Sequence, residues 1–123
     1  MSKEDTTMGV EPNLGGLLCY APCCIGLIVS IVVAIVEKKS RFVRFHAFQS
    51  LLVHGAGFAL FLVLAIIQIV AGMVFAPLGL LVWGLEMLVG LAFLALTIFL
   101  MMKAHANEEY KLPRLGDLAL QWI

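Results

Sequence analysis

Residues 37–54, EKKSRFVRFHAFQSLLVH, separate two long apolar parts of the chain. This stretch holds four of the eight Lys and Arg residues and two of the three histidines. Over its whole length the chain is 63% hydrophobic and only 13% charged, which is far from the usual composition of soluble domains. Because a chain of 123 residues cannot bury that much apolar surface in a core of its own, we expect lipid to cover the excess.

Three apolar runs predict an all-α integral membrane bundle of three transmembrane helices in one domain. The first run, residues 14–36, carries no charge and is long enough to cross a hydrocarbon core of ~30 Å. Pro22 lies inside it and is expected to bend the helix. The second helix is expected over residues 41–75 and the third over residues 78–102, joined by the turn signal at residues 76–79.

The second helix is expected to begin with an amphipathic segment at the membrane surface. Phe42 and Phe45 suit the headgroup boundary, while Arg41 and Arg44 can reach lipid phosphates. The basic turn before this helix therefore predicts contact with anionic lipids. Whether residues 41–56 form a separate interfacial helix stays open at this point.

Basic residues are distributed unevenly along the chain. Four lie in the 37–50 stretch and three in the tail from residue 103, whereas Lys3 is alone on the other expected side. The positive-inside rule then predicts a multi-pass protein of the cell membrane, with its N-terminus outside and its C-terminus in the cytoplasm. The expected division is a disordered extracytoplasmic tail over 1–13, a transmembrane domain over 14–102 and a cytoplasmic tail over 103–123.

Small and polar residues fall on one face of each expected helix. On the first helix this face comprises Gly16, Cys19, Cys23, Gly26, Ser30 and Ala34. On the second it comprises His46, Ser50, His54, Gly57, Phe61, Gln68 and Gly72. On the third it comprises Gly79, Glu86, Gly90 and Thr97. Small residues allow helix backbones to approach closely, and polar groups are costly in lipid, so we expect these faces to pack together.

Glu86 is the one formal charge expected in the middle of a span. It can be a protonated carboxyl that bonds to Gln68 or to a carbonyl left free by Pro22, or it can carry protons or ions. We favour the packing role. The intramembrane polar set is His54, Gln68 and Glu86.

No pattern indicates an enzyme, a cofactor or a metal. The histidines at 46 and 54 are eight residues apart, which is too wide for a typical metal pair on a helix. No nucleophile and base, phosphate loop or paired carboxylates are recognisable, and no basic arm suited to nucleic acid is present. An enzyme acting on lipid at the histidine end therefore ranks last among the functions considered.

Three segments together resemble a bacterial and archaeal family of small uncharacterised membrane proteins: EKKSRFVRFHAFQSLL, the preceding LCYAPCCIGLI, and YKLPRLGDLA in the tail. That family is similar to the twenty-kilodalton channel subunit of the chloroplast inner-envelope protein translocon. The resemblance covers about residues 14–119 and implies a helical protein of the prokaryotic inner membrane with no established activity. Its motif in the second helix comprises Arg41, Phe42, Arg44, Phe45, His46, Gln49 and Ser50. Its tail motif comprises Lys111, Leu112, Pro113, Gly116 and Asp117.

These observations lead to two functional hypotheses. The first is a non-enzymatic packing or assembly component of a membrane complex, either a homo-oligomer or a partner of other membrane proteins. The alternative is an oligomeric channel or transporter subunit that uses Glu86 and Gln68.

Overall fold

The computed structural model describes residues 6, 7, 9–22 and 24–123. These residues form helices joined by short turns and contain no strand. The helices are α1 (Pro12–Cys19), α2 (Cys24–Val36), α3 (Arg41–Val74), α4 (Ala76–His105) and α5 (Leu115–Trp122). The all-helical prediction is confirmed. By length and composition α3 and α4 are both able to cross a membrane, which matches the second and third expected spans.

The first apolar run differs from the single bent helix that its length predicts. Helix α1 ends at Cys19, before Pro22, and α2 begins at Cys24. The chain folds back on itself there, because Gly26 N donates to Ala21 O at 3.1 Å and Ser30 Oγ donates to Cys19 O at 2.9 Å. The run is therefore a helical hairpin, and neither α1, with 8 residues, nor α2, with 13, is long enough to span a bilayer.

The start of the hairpin lies beside its end. Thr7 N donates to both carboxylate oxygens of Glu37, at 3.0 and 2.8 Å. The hydroxyl of Thr7 accepts from Lys38 N at 2.9 Å. The N-terminal residues were expected across the membrane from this basic turn, and the described ones are bound to it instead. Residues 1–5 and 8 of the expected tail lie outside the described residues.

Helices α3 and α4 form a long antiparallel pair. Glycines lie at their closest approaches: a Cβ on Gly79 would be 2.9 Å from Gly72 Cα, and one on Gly57 would be 2.6 Å from the ring of Phe93. The expected packing of the small-residue faces is confirmed at these positions. Helix α3 is continuous over Arg41–Val74, so residues 41–56 are not a separate interfacial helix.

The shorter helices all cover the same half of this pair. Helix α1 packs on α3 and α4, while α2 and α5 pack on α3. Tyr20, Val53, Leu100 and Ala104 form a buried cluster there. Farther along the pair, most large apolar side chains are exposed, including Phe58, Ile69, Met73, Leu81 and Leu88. This bare half has the surface expected of helices in contact with lipid.

Candidate functional site

The candidate functional site is a buried polar junction between the hairpin, α3 and the tail. Three of its side chains, Tyr20, His46 and Gln49, are 0% exposed. The Tyr20 hydroxyl is 2.8 Å from His46 Nδ1, and Gln49 Nε2 donates to the same hydroxyl at 2.8 Å. A tyrosine from the end of α1 is thus held by two residues of the α3 motif.

Gln49 also holds the tail. Its Nε2 donates to Tyr110 O at 2.9 Å, and its Oε1 accepts from Leu112 N at 2.9 Å. Gly116 lets the start of α5 approach this amide, because a Cβ there would be 3.0 Å from Gln49 Oε1. The motif in α3 and the motif in the tail are therefore two sides of one junction.

The hydrogen bonds determine where the protons of the junction lie. Both hydrogens of Gln49 Nε2 are used, by Tyr20 and by the Tyr110 carbonyl. The Tyr20 hydroxyl is then free to donate to His46 Nδ1, which places the ring hydrogen of a neutral His46 on Nε2. This Nε2 has no hydrogen-bond partner among the described residues.

Aromatic rings enclose His46. The ring centroids of Phe42, Phe45 and Tyr20 lie 4.5, 5.2 and 5.4 Å from its centroid, all in edge-to-face geometry. The headgroup position expected for Phe45 is wrong, because α1 and the tail cover the first turns of α3 and leave Phe45 0% exposed. Gly16 is the α1 residue that allows this cover, since a Cβ on it would be 3.1 Å from the His46 ring.

A second set of hydrogen bonds fixes the end of α1. Ser50 Oγ donates to Cys19 O, and the single hydroxyl hydrogen of Ser30 is shared between Gly26 O at 2.7 Å and Cys19 O at 2.9 Å. His54, one turn after Ser50, donates from Nδ1 to Ser50 O at 2.8 Å. The carbonyl that the helix end leaves without a helical partner is therefore satisfied by the Ser50 hydroxyl, with Ser30 beside it.

The basic residues of the turn have different roles. Arg44 was expected to reach lipid phosphate, but its Nη1 donates to Glu37 O at 2.6 Å and its guanidinium lies 5.4 Å from the Phe48 ring centroid. It caps the C-terminal end of α2. Lys38, Lys39 and Arg41 are exposed.

Glu37 is a buried carboxylate that the sequence analysis did not single out. Burial raises its pKa, but hydrogen bonds from the backbone N–H groups of Thr7, Ser40 and Lys39 together outweigh burial and lower the pKa to about 2. Tyr20 was also missed. The one available signal for Tyr20 was a phenol inside an apolar run, two residues before Pro22.

The tail motif has one buried side and one exposed side. Leu112 packs on the cluster around Tyr20, and Gly116 is buried. Lys111, Pro113 and Asp117 are exposed. The junction therefore uses the backbone and the small or apolar members of this motif.

Glu86 and Gln68 do not belong to the junction. The antiparallel register of α3 and α4 puts Glu86 near Ala65, about one helical turn from Gln68. The expected hydrogen bond between the two is not found, and Glu86 Oε1 is buried without a partner among the described residues. Among all the residues that the structure describes, no group of three His, Cys, Asp or Glu side chains is close enough together to hold a metal ion.

A family model described as the magnetosome magnetite crystal formation protein family matches residues 4–123. The chain belongs to this family. It is 40% identical over 117 residues to a UPF0132 membrane protein of Methanocaldococcus jannaschii, covering 95% of this chain and 93% of the relative. A UPF0132 membrane protein of Archaeoglobus fulgidus is 32% identical over 114 residues, 93% of this chain and 97% of the relative.

A second UPF0132 membrane protein of M. jannaschii is 32% identical over 112 residues, covering 91% of this chain and 70% of the relative. No solved structure matches the chain. These family members confirm the prediction of an uncharacterised prokaryotic membrane protein family. The names of these relatives do not refer to the chloroplast translocon, so that part of the resemblance stays a prediction.

Proposed function

We propose that this protein is a non-enzymatic component of the cell membrane that assembles with further copies of itself or with other membrane proteins. The observation that carries the proposal is the bare half of α3 and α4, on which no other helix of the described chain packs. Its surface includes Gly55, Ala56 and Ala59, all exposed on α3. A Cβ on Gly55 would meet no atom within 4 Å.

These three residues differ from the glycines that serve the fold. Gly57, Gly72 and Gly79 are used where α3 meets α4. Gly55 and Ala59 are four residues apart and lie outside that contact, which leaves a small-residue surface open to another helix. Helices in lipid associate through such surfaces, because close backbone approach increases van der Waals contact.

The test is the oligomeric state in mild detergent, measured by light scattering. Gly55→Ile and Ala59→Ile should raise the dissociation constant of the assembly at least about tenfold, equivalent to ~1.4 kcal/mol. Gly84→Ile is the matched control, because a Cβ at Gly84 on α4 also meets nothing within 4 Å. A wild-type protein that stays monomeric and carries no partner would contradict the proposal.

We assign the chain two spans and a re-entrant hairpin, so that both termini lie in the cytoplasm. With the hairpin entering and leaving on one side, the seven described Lys and Arg residues all lie on the side of the basic turn, and the loop between α3 and α4 has none. The positive-inside rule favours this orientation. Cysteines introduced at Thr6 and Asn107, after the native cysteines are replaced by alanine, should react with an impermeant reagent from the same side. Labelling from opposite sides would restore the three-span topology.

Contact with anionic lipid is part of the same proposal. Lys38 and Lys39 are exposed on the turn, and each basic side chain at such a surface is worth about 1 kcal/mol. Replacing both by Gln should weaken retention of phosphatidylglycerol in detergent. Lys103→Gln is a control with less effect, because Lys103 Nζ is paired with Glu108 at 3.0 Å. Equal retention in all variants would contradict the lipid contact.

The second candidate function is an oligomeric channel or transporter subunit that uses Glu86 and Gln68. The buried Glu86 Oε1, without a partner among the described residues, favours it, because an unpaired carboxyl oxygen in lipid is typical of proton or ion pathways. Proton flux into proteoliposomes tests it. Wild-type flux that Glu86→Gln abolishes would support a channel, and the absence of wild-type flux would exclude it.

A further inference from the structure

A small cavity lies at the tip of the re-entrant hairpin, between α3 and α4. It has a volume of about 240 Å³ and is lined by Pro22, His54, Gly90, Phe93, Leu94 and Thr97. His54 is thirteen residues into α3 from Arg41, which is roughly 20 Å along the helix. In the two-span arrangement the cavity therefore lies deep in the membrane, where bulk water does not reach.

The tautomer of His54 follows from its neighbours. Nδ1 is 2.8 Å from Ser50 O, and a carbonyl oxygen only accepts, so Nδ1 carries the ring hydrogen. Nε2 of the neutral ring is then a bare acceptor. No hydrogen bond to this nitrogen is found among the residues that the structure describes. Since Nδ1 faces back along α3, the Nε2 edge of the ring is the edge left to face the cavity.

The other polar side chain in the lining also offers no donor. Thr97 Oγ1 donates its hydrogen to Leu94 O in its own helix at 2.9 Å. Among the described residues the cavity is thus an apolar space with acceptors and without a side-chain donor. His54 is partly buried, and an acceptor held away from bulk water without a hydrogen bond is costly, which favours an occupant that brings a donor.

The volume and the lining of the cavity limit which ligands it can bind. An engineered apolar cavity of ~150 Å³ in another protein is large enough to bind benzene, so about 240 Å³ holds a benzene ring with one or two small substituents. The Phe93 ring is 5.9 Å from the His54 ring in edge-to-face geometry, which gives the cavity an aromatic wall.

We propose that this cavity binds a membrane-soluble phenol, whose hydroxyl donates to His54 Nε2 while its ring packs against Phe93, Leu94 and Pro22. The phenol is either a small free molecule or the ring of a lipid with a long tail. An apolar groove of about 560 Å³ on another side of Pro22, lined by Leu17, Ile98, Met101 and others, offers space for such a tail.

The test uses the full chain in lipid nanodiscs and two ligands of nearly equal shape, p-cresol and p-xylene. Affinity is followed through the methyl signals of Leu94 and expressed per mole fraction of ligand in the lipid. A 15N-histidine spectrum should show a saturable shift of His54 Nε2 with p-cresol. One neutral hydrogen bond predicts that p-xylene binds roughly three- to tenfold more weakly.

Three variants separate the cavity from general effects of lipid and fold. His54→Phe keeps a ring without the acceptor and should lower p-cresol affinity to that of p-xylene. Gly90→Leu should fill the cavity and abolish the binding of both ligands. Gly90 lines the cavity, and an added Cβ there is tolerated because the nearest atom, in the Phe61 ring, is 3.7 Å away. Gly84→Leu, on an open surface of α4, should bind as wild type does.

Equal affinity for the two ligands, or p-cresol affinity unchanged in His54→Phe or Gly90→Leu, would overturn the proposal. So would a cavity that holds only water, in which case His54 Nε2 shows no saturable shift. A third ligand, 4-octylphenol, distinguishes the two sources: tighter binding than p-cresol identifies a phenolic lipid, and weaker binding identifies a small free phenol.

Discussion

Replacing Gln49 by Met tests the junction most directly. Met keeps the length and most of the volume of the side chain, so the change removes hydrogen bonds and leaves the packing nearly intact. Three bonds are lost, to the Tyr20 hydroxyl, Tyr110 O and Leu112 N, all at 2.8–2.9 Å. The tail backbone loses both its donor and its acceptor partner at once.

The expected loss of stability depends on whether the groups that were bonded to Gln49 find other hydrogen-bond partners. A buried polar group left unpaired costs about 1–3 kcal/mol, and a tail that moves to the surface regains water but loses its packing. Leu112 and Leu115 pack on the buried cluster around Tyr20, so release of the tail also exposes apolar surface. We expect Gln49→Met to lower the free energy of unfolding by about 2–4 kcal/mol.

Two measurements report the loss of global stability and the release of the tail separately. Denaturant unfolding in detergent reports the loss of global stability. Limited trypsin digestion reports release of the tail, because the bonds after Lys111 and Arg114 are protected only while the tail is docked. Both bonds should be cut faster in Gln49→Met than in wild type. Gln68→Met is the matched control on the same helix, since no hydrogen bond of the Gln68 side chain is found among the described residues.

Equal tail digestion in wild type and Gln49→Met would refute the role of Gln49 in holding the tail. A loss of stability in Gln68→Met as large as that in Gln49→Met would mean that a polar side chain anywhere on α3 has the same effect. In either case the junction would not be the organising contact of the half of the α3 and α4 pair that the shorter helices cover.

Two further predictions concern the hairpin. Because hydrogen bonds hold the folded-state pKa of Glu37 at about 2, below its ordinary 4.5, the stabilisation is complete above pH ~4.5 and is lost as the pH falls towards 2. Thermal unfolding of wild type across this range should show that loss, and Glu37→Gln should flatten it. Gly26→Ala should lower stability by about 1–3 kcal/mol, because the added Cβ meets the backbone of Ala21 and lies 2.9 Å from Cys19 O. Gly55→Ala, where a Cβ meets nothing, should be neutral or stabilising in the same assay, and equal losses at the two glycines would contradict the close approach.

The membrane pair could be predicted from the sequence because its signals are local. Long uncharged runs and small residues at helical spacing were sufficient to predict α3, α4 and the contact between them. The turn expected at residues 76–79 lies earlier, at Phe75, and residues 76–79 form the first turn of α4. Gly72 and Gly79 meet as their spacing on the two helices required. In lipid the backbone must bond within its own helix, so periodicity constrains such a pair strongly.

The position of the junction could not be predicted, although most of its residues were singled out. His46 and Ser50 were placed on the correct face of the second helix, but as residues near the membrane surface. Their burial depends on α1, which covers them only because the first run turns back. Periodicity describes which residues share a face, and it does not describe which distant segment covers that face.

The hairpin exposes a limit of the length rule for transmembrane helices. An uncharged run of 23 residues satisfies that rule whether it crosses the membrane once or enters and returns. A single crossing and a re-entrant hairpin differ in the hydrogen bonds of the backbone at the turn, because irregular backbone at membrane depth must be bonded within the protein.

Several backbone groups beside the turn of this hairpin are bonded within the protein. Tyr20 N and Ala21 N donate to carbonyls of α1 at 3.1 and 3.2 Å, and Gly26 N donates back to Ala21 O. Cys19 O accepts from the Ser50 hydroxyl, the Ser30 hydroxyl is shared between Cys19 O and Gly26 O, and Pro22 has no N–H to satisfy. Proline, glycine and serine each also occur in helices that cross a membrane, so none of them alone indicates a hairpin. Pro22, Gly26 four residues later and Ser30 eight residues later together supply the contacts that hold this turn. In the two-span topology proposed above, these three positions indicate the hairpin better than the length of its apolar run does.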